Sequence, residues 1–314
     1  MNNEFHQPHM DSNTNEIICD SFPFFKIYKD GRVERYIVTQ PVPAGLDPVS
    51  GVRCKDLVVS KDVKARIFVP QGITRGEKLP LIVHFHGGGF STGSAFDNVT
   101  QKAVIPFVKQ GNTIVVSIDY RIAPEHPLPI AHQDSWVGLQ WVAAHANGEV
   151  EGPEPWLNEN ADLGNVFLSG ESAGANIAHY VAVQAGVTKL VGFKIKGMLI
   201  IHPYFGSREP GEHEFYKYIA PASAGFDHDP IANPAADPNL SRIPCERVMV
   251  LVAEKDGLRS RGEDYYETLA KSGWAGDVEL FETKGEDHCF HVFSDGHNAG
   301  VLIKKMVDFI KKDM

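Results

Sequence analysis

The sequence predicts an α/β fold: a mostly parallel central sheet with helices on both faces. Three observations carry that expectation. Short apolar runs of buried-strand character alternate with stretches whose apolar residues recur at helical spacing. The chemically loaded residues follow the apolar runs, as they do along the carboxyl edge of a doubly wound sheet. Finally, 314 residues, 43% hydrophobic and 22% charged, suit one large core of ordinary soluble composition.

The elements follow in order. Residues 1 to 20 are mixed and polar, with several Asn and His. Phe24 to Tyr36 alternates around Asp30-Gly31, which reads as a hairpin. Lys64 to Val69 reads as a strand halted by Pro70, and Leu79 to Phe85 as a strand running into His86-Gly87-Gly88-Gly89-Phe90. Ile114 to Asp119 is the next strand, and a helix is expected around Trp136 to Ala143. Asn165 to Ser169 is a strand and Asn176 to Gln184 is helical in spacing. Met198 to Ile201, Val248 to Ala253 and Val278 to Glu282 continue the strands, and the last helix runs from about Asn298 to Lys312. Pro203 to Pro234 breaks the alternation and is rich in Pro, Gly, Glu and aromatics, among them Tyr204, Phe205, Phe215, Tyr216 and Phe226.

Gly170-Glu171-Ser172-Ala173-Gly174 lies between a strand and a helix, the setting of a nucleophile elbow. Its small residues allow a sharp turn that lifts the Ser172 oxygen above the sheet. A serine hydroxyl is a weak nucleophile and needs a base, which needs an orienting acid. For an elbow of this kind the chain order is Ser, then Asp or Glu, then His. Asp256 and His288 fit that order, each in a loop just past a strand. Glu254 and Asp264 compete with Asp256, and His291 competes with His288. The glycines after His86 let bare N–H groups face a ligand oxygen, and such a loop pairs with the N–H after the nucleophile, Ala173, as an oxyanion hole. A phosphate-binding role for these glycines lacks the G-K-[ST] that would support it, and zinc is not expected, because no H-E-x-x-H occurs.

His86-Gly87-Gly88-Gly89, Asp119-Tyr120-Arg121 with Pro124-Glu125-His126, and Gly170 to Gly174 together resemble the hormone-sensitive-lipase-like branch of the α/β-hydrolases. Within it, Phe25 to Arg35 and Pro155-Trp156-Leu157 are similar to plant carboxylesterases, and the resemblance spans Phe22 to the C-terminus. It implies an α/β-hydrolase fold with a small cap, in a single domain, residues 1–23 and about 203–234 contributing the cap. It implies Ser172, Asp256 and His288 as the triad, favouring His288 over His291 through the family's His-x-Phe phrase. Gly88, Gly89 and Ala173 are then the oxyanion donors, with Phe90, Tyr204 and Phe290 binding substrate. His86 is expected to hold the glycine loop, Asp119, Arg121 and Glu125 to brace the elbow as a polar network, and Glu171 to bond neighbouring backbone.

The activity implied is hydrolysis of short-acyl esters of small, partly aromatic metabolites through an acyl-enzyme, without a cofactor. Two groups of relatives offer other chemistry on this scaffold. Hydroxyisoflavanone dehydratases carry threonine at the nucleophile, and alkaloid cyclases depart from the hydrolase pattern at the elbow, glycine loop or histidine. Gibberellin receptors hold a hormone and have lost the histidine, which this chain keeps. A formal charge of −10 disfavours nucleic acid and anionic membranes as partners, leaving a small-molecule ester as the expected partner. Four scattered cysteines, no signal-like start and no apolar run long enough for a bilayer give a cytoplasmic expectation.

Overall fold

Mostly apolar, buried strands are the signature of a sheet covered on both sides, and the centre of this molecule is built from them. The computed structural model describes residues 15–150, 152–207 and 212–312. It divides into two units, residues 1–38 and 39–314. The first holds an antiparallel sheet of β1 (Ile17–Ser21), β2 (Phe25–Tyr28) and β3 (Val33–Arg35), in that order. Its β2–β3 turn is closed by the Asp30 carboxylate accepting the Arg32 N–H at 3.0 Å, while Gly31 takes φ +84°. Residues 1–14, most of the N-terminal segment expected to join the cap, lie outside the described residues.

The second unit is a nine-stranded sheet. In chain order its strands are β4 (Gly45–Asp47), β5 (Val52–Val58), β6 (Lys64–Pro70), β7 (Leu79–Phe85), β8 (Ile114–Asp119), β9 (Ala161–Glu171), β10 (Ile195–Ile201), β11 (Arg247–Ala253) and β12 (Asp277–Thr283). The spatial order is β12-β11-β10-β9-β7-β8-β6-β5-β4. The six strands from β12 to β8 are parallel; β6, β5 and β4 join as an antiparallel margin. Every residue of β7 and of β11 is buried, which is why they read as apolar runs, with His84 in β7 and Arg247 at the start of β11 as their polar members.

The helices are α1 (Asn98–Gly111), α2 (Ile130–Ala144), α3 (Pro155–Asn160), α4 (Ala173–Thr188), α5 (Glu212–Ile219), α6 (Arg259–Lys271), α7 (Phe290–Phe293) and α8 (His297–Lys311). α1, α7 and α8 pack together on one face, where Val104, Phe107, Leu302, Met306 and Phe309 close on Ile82, Phe167, Leu199 and Met249. α2, α4 and α6 cover the other, α4 meeting α6 through His179 Nδ1 and the Tyr265 hydroxyl at 3.1 Å.

The elements named from sequence are present, mostly longer at their ends: the helix expected at 136–143 runs from Ile130 to Ala144, and the elbow strand begins at Ala161. The short elements β1, β4, α3, α5 and α7, and the longer α1, α6 and β5, are not among those read from sequence. α1 contains Pro106, which breaks the helical reading, and its start is fixed instead by Asp97, whose side chain accepts the Thr100 N–H.

The topology delivers the chemistry to one edge. β7 and β9 are neighbours although α1, β8, α2 and α3 separate them in the chain, and Phe85 pairs with Gly170. Ile201 pairs with Glu171 and with Leu251, and Ala253 pairs with Thr283. The loops that follow β7, β9, β10, β11 and β12 therefore leave the sheet side by side.

Candidate active site

The elbow exists because two glycines let backbones meet. A Cβ on Gly174 would stand 1.9 Å from the Phe85 carbonyl oxygen, and one on Gly170 would stand 2.2 Å from that of Gly174. Neither is tolerable, so the strand–turn–helix can close only with glycine at both positions. Ser172 itself takes φ +54°, a conformation side chains rarely adopt. Its N–H donates to Ile201 O at 2.9 Å and its carbonyl accepts from Tyr204 N–H at 3.0 Å, which pins the strained residue from both sides.

The glycine loop lies against this turn. A Cβ on Gly87 would come within 2.9 Å of the Glu171 carbonyl and 3.5 Å of the Ser172 Cβ. Gly88 and Gly89 have φ of +110° and +59°. Their N–H groups, and that of Ala173 at the first position of α4, donate no hydrogen bond among the described residues. Three donors beside the serine are thus available to an anionic oxygen, with the helix N-terminus adding to the same polarity.

His86 holds the loop. Its buried ring stacks on Tyr120 at 4.1 Å, its Nδ1 lies 2.8 Å from Gly87 O, and the Tyr120 hydroxyl donates to His86 O at 2.6 Å. Burial pushes the His86 pKa down, which keeps the ring neutral. Asp119 accepts from the Ser94 hydroxyl and the Ala95 N–H, bracing the chain after the loop. Arg121 makes a two-pronged pair with Asp134 on α2, both bonds 2.8 Å, while Glu125 is exposed. Asp134 carried no motif, so sequence did not single it out.

Asp256 and His288 are in contact. Asp256 is buried three residues past β11, and its Oδ2 lies 2.8 Å from His288 Nδ1, while Oδ1 accepts the Leu258 N–H at 2.7 Å. The imidazole is about one-third exposed, and its Nε2 makes no hydrogen bond among the described residues. Among the described residues the Ser172 hydroxyl makes no hydrogen bond, so contact between it and His288 is not part of this geometry. Catalytic hydrogen bonds of unliganded sites often tighten only when substrate binds.

His202 follows β10, and sequence missed it for want of any motif. Its Nδ1 accepts the Cys289 N–H at 2.8 Å, which ties the His288 loop to the end of β10 and leaves the proton on Nε2. Burial, then the nearby His291 and His288, push its pKa well down. His202, His288 and Cys289 each bring a potential ligand atom within 4.8 Å of the others. Two facts weigh against a metal there: burial raises the Cys289 thiol pKa well above its ordinary value, and His202 Nδ1 is already engaged.

Glu171 differs from expectation. Its buried side chain faces His84 and His291, and no hydrogen bond to neighbouring backbone is formed among the described residues. The aromatic residues expected at the substrate site are packed. Phe90 is fully buried, with its ring 5.5 Å from His132 and 5.8 Å from Tyr204, and Phe290 lies 5.9 Å from His202. The segment after β10 lines a half-open pocket of about 260 Å³, with Gly206, Tyr216, Lys217, Ala220 and Phe226 among its walls.

Known proteins match this chain over most of its length. The family model described as the alpha/beta hydrolase fold matches residues 82–292. A probable carboxylesterase 2 of Arabidopsis thaliana is 41% identical, the match covering 96% of this chain and 99% of that one. A 2-hydroxyisoflavanone dehydratase of Glycyrrhiza echinata is 40% identical, covering 92% and 94%. Among solved structures, a fungal esterase of Rhizomucor miehei superposes with a TM-score of 0.70 at 26% identity, covering 83% of each chain.

Proposed function

This chain belongs to the α/β-hydrolase family, among the plant carboxylesterases, and we propose that it hydrolyses short-acyl esters of small, partly aromatic metabolites with Ser172 as nucleophile. The observation that carries the reading is the 2.8 Å bond from His288 Nδ1 to the buried Asp256 carboxylate, which commits one ring nitrogen and frees the other to act as a base.

In the proposed reaction Nε2 of His288 takes the Ser172 proton as the oxygen attacks the ester carbonyl. Asp256 holds the tautomer and stabilises the imidazolium. The tetrahedral oxyanion accepts hydrogen bonds from the N–H groups of Gly88, Gly89 and Ala173. The imidazolium then protonates the leaving alcohol, and water repeats the sequence against the acyl-enzyme. No step calls for a cofactor. We assign the protein to the cytosol; four free, buried cysteines support a reducing compartment, and no described helix is long and apolar enough to cross a membrane.

Ser172→Ala tests the mechanism. It is expected to abolish p-nitrophenyl butyrate hydrolysis in a folded protein, and full turnover would reject it. The 40% identity to a dehydratase favours, as a second reading, elimination at the same site. An acyl adduct on Ser172 detected by mass spectrometry supports hydrolysis; turnover of a hydroxylated flavonoid without an adduct supports elimination.

A further inference from the structure

One buried carboxylate stands between the segments that the proposed reaction must bring together, and that reaction does not use it. Glu171 precedes Ser172. Its Oε2 lies 3.2 Å from Nε2 of His84 and its Oε1 lies 4.0 Å from Nε2 of His291. His84 is on β7, just ahead of the glycine loop, and His291 is on α7, three residues after His288. All three side chains are buried.

A buried carboxylate is costly unless its charge is answered. The groups that face Glu171 are His84 from β7, His291 and Cys289 from the α7 segment, His202 after β10 and Tyr120 after β8. Of these only the imidazoles can carry positive charge, and burial keeps His202 neutral. Burial alone would raise the Glu171 pKa, but His84 and His291 outweigh it and hold the carboxyl well below the ordinary range. Neither ring nitrogen of His84 or of His291 has a hydrogen-bond partner among the described residues, so Glu171 is the anion within their reach.

We propose that Glu171 is a positioning residue whose carboxylate, held between His84 and His291, fixes the glycine loop and the His288 loop against the serine elbow. The proposal rests on Ser172 and His288 acting as nucleophile and base. The carboxylate touches no reacting atom. It acts by keeping the imidazole of His288 and the loop amides in register with a serine whose own backbone is strained, where small misplacement is expensive in rate.

The test uses the full chain, with steady-state hydrolysis of p-nitrophenyl butyrate and the rate of Ser172 labelling by a fluorophosphonate. Glu171→Gln, which keeps shape and removes charge, is expected to lower kcat at least about tenfold with KM within about twofold, and to slow labelling in parallel. His291→Gln should fall in the same direction. The double variant should be no slower than Glu171→Gln alone, because both break one link. Glu171→Asp, which restores the charge, should recover part of kcat. The proposal is overturned if Glu171→Gln keeps kcat within about twofold, or if the two losses multiply in the double variant. Should Glu171→Gln fail to fold, His291→Gln decides: lowered kcat at constant KM supports the proposal, and unchanged kcat overturns it. Ser172→Ala separates the two levels. Activity that survives it removes the mechanism and this proposal together, whereas a dead Ser172→Ala beside a fully active Glu171→Gln removes the proposal alone.

Discussion

Replacing Asp256 with Asn removes one charge and almost no volume. Both carboxylate oxygens are engaged, Oδ2 with His288 Nδ1 at 2.8 Å and Oδ1 with the Leu258 N–H at 2.7 Å, so an amide can keep the second bond while losing the first interaction's charge. When, in the proposed reaction, the imidazole accepts the serine proton, a carboxylate at this spacing stabilises the imidazolium by about 6 kcal/mol at an effective dielectric of about 20. The ring is 34% exposed, and solvent screening reduces that gain to about 4 kcal/mol. Divided by 1.36 kcal/mol per decade, this is about 1,000-fold in rate. Asp256→Asn is therefore expected to lower kcat for p-nitrophenyl butyrate about 1,000-fold with KM changed less than about threefold. Steady-state kinetics at pH 8, on samples matched by near-ultraviolet circular dichroism, measure it. A folded variant within about tenfold of the parent would mean that the Asp256 charge does not stabilise the imidazolium.

Gly88→Ala places a Cβ 2.3 Å from the Thr92 carbonyl at φ +110°, so the loop must shift; kcat should fall about 100- to 1,000-fold and the melting midpoint should drop, as steady-state kinetics and calorimetry would report. Burial lowers the His132 pKa to about 4, so as pH falls from about 6.5 the unfolded chain takes up its proton first. Stability is full above the unfolded value and declines toward pH 4, by on the order of 3 kcal/mol. Urea melts at pH 7 and pH 5 should show this slope, and His132→Gln should make it shallower without abolishing it, because burial also lowers the pKa of His86, His179 and His202. Arg66 is buried, donating to Asp56 at 2.6 and 3.1 Å and to Val42 O at 2.7 Å; Arg66→Met strands that carbonyl while Asp56, half exposed, can turn to water. A loss of about 1–3 kcal/mol in urea unfolding is expected, and an unchanged midpoint would show the Val42 bond to be dispensable.

Much of the sheet was legible because its strands are covered on both faces. Leu79–Phe85 and Ile114–Asp119 begin and end where their apolar runs do. β5 escaped because the adjacent charges Lys55 and Asp56 break the alternation of its apolar residues, and α6 because it is dominated by charge, with Gly262, Tyr265 and Leu269 as its buried residues. At the site, the five-residue elbow motif was readable because Gly170 and Gly174 answer a local steric demand. The partners of Glu171 were not, since nothing in the sequence near it indicates two imidazoles from β7 and α7.

Short-range sterics and burial write themselves into local runs of residues: the strands, the glycine loop, the sharp turn at Ser172, and a short list of acids and histidines placed after strand ends. Which acid meets which histidine is a matter of the assembled sheet. It sets Asp256 against His288 and Glu171 between His84 and His291, although Asp256, Glu254, His288 and His291 are near-equivalents in the chain. The reason is physical. Pairing of charges and hydrogen bonds falls off within a few ångströms, and those distances are fixed by the order and register of β7, β9, β10, β11 and β12, which no local run of residues encodes.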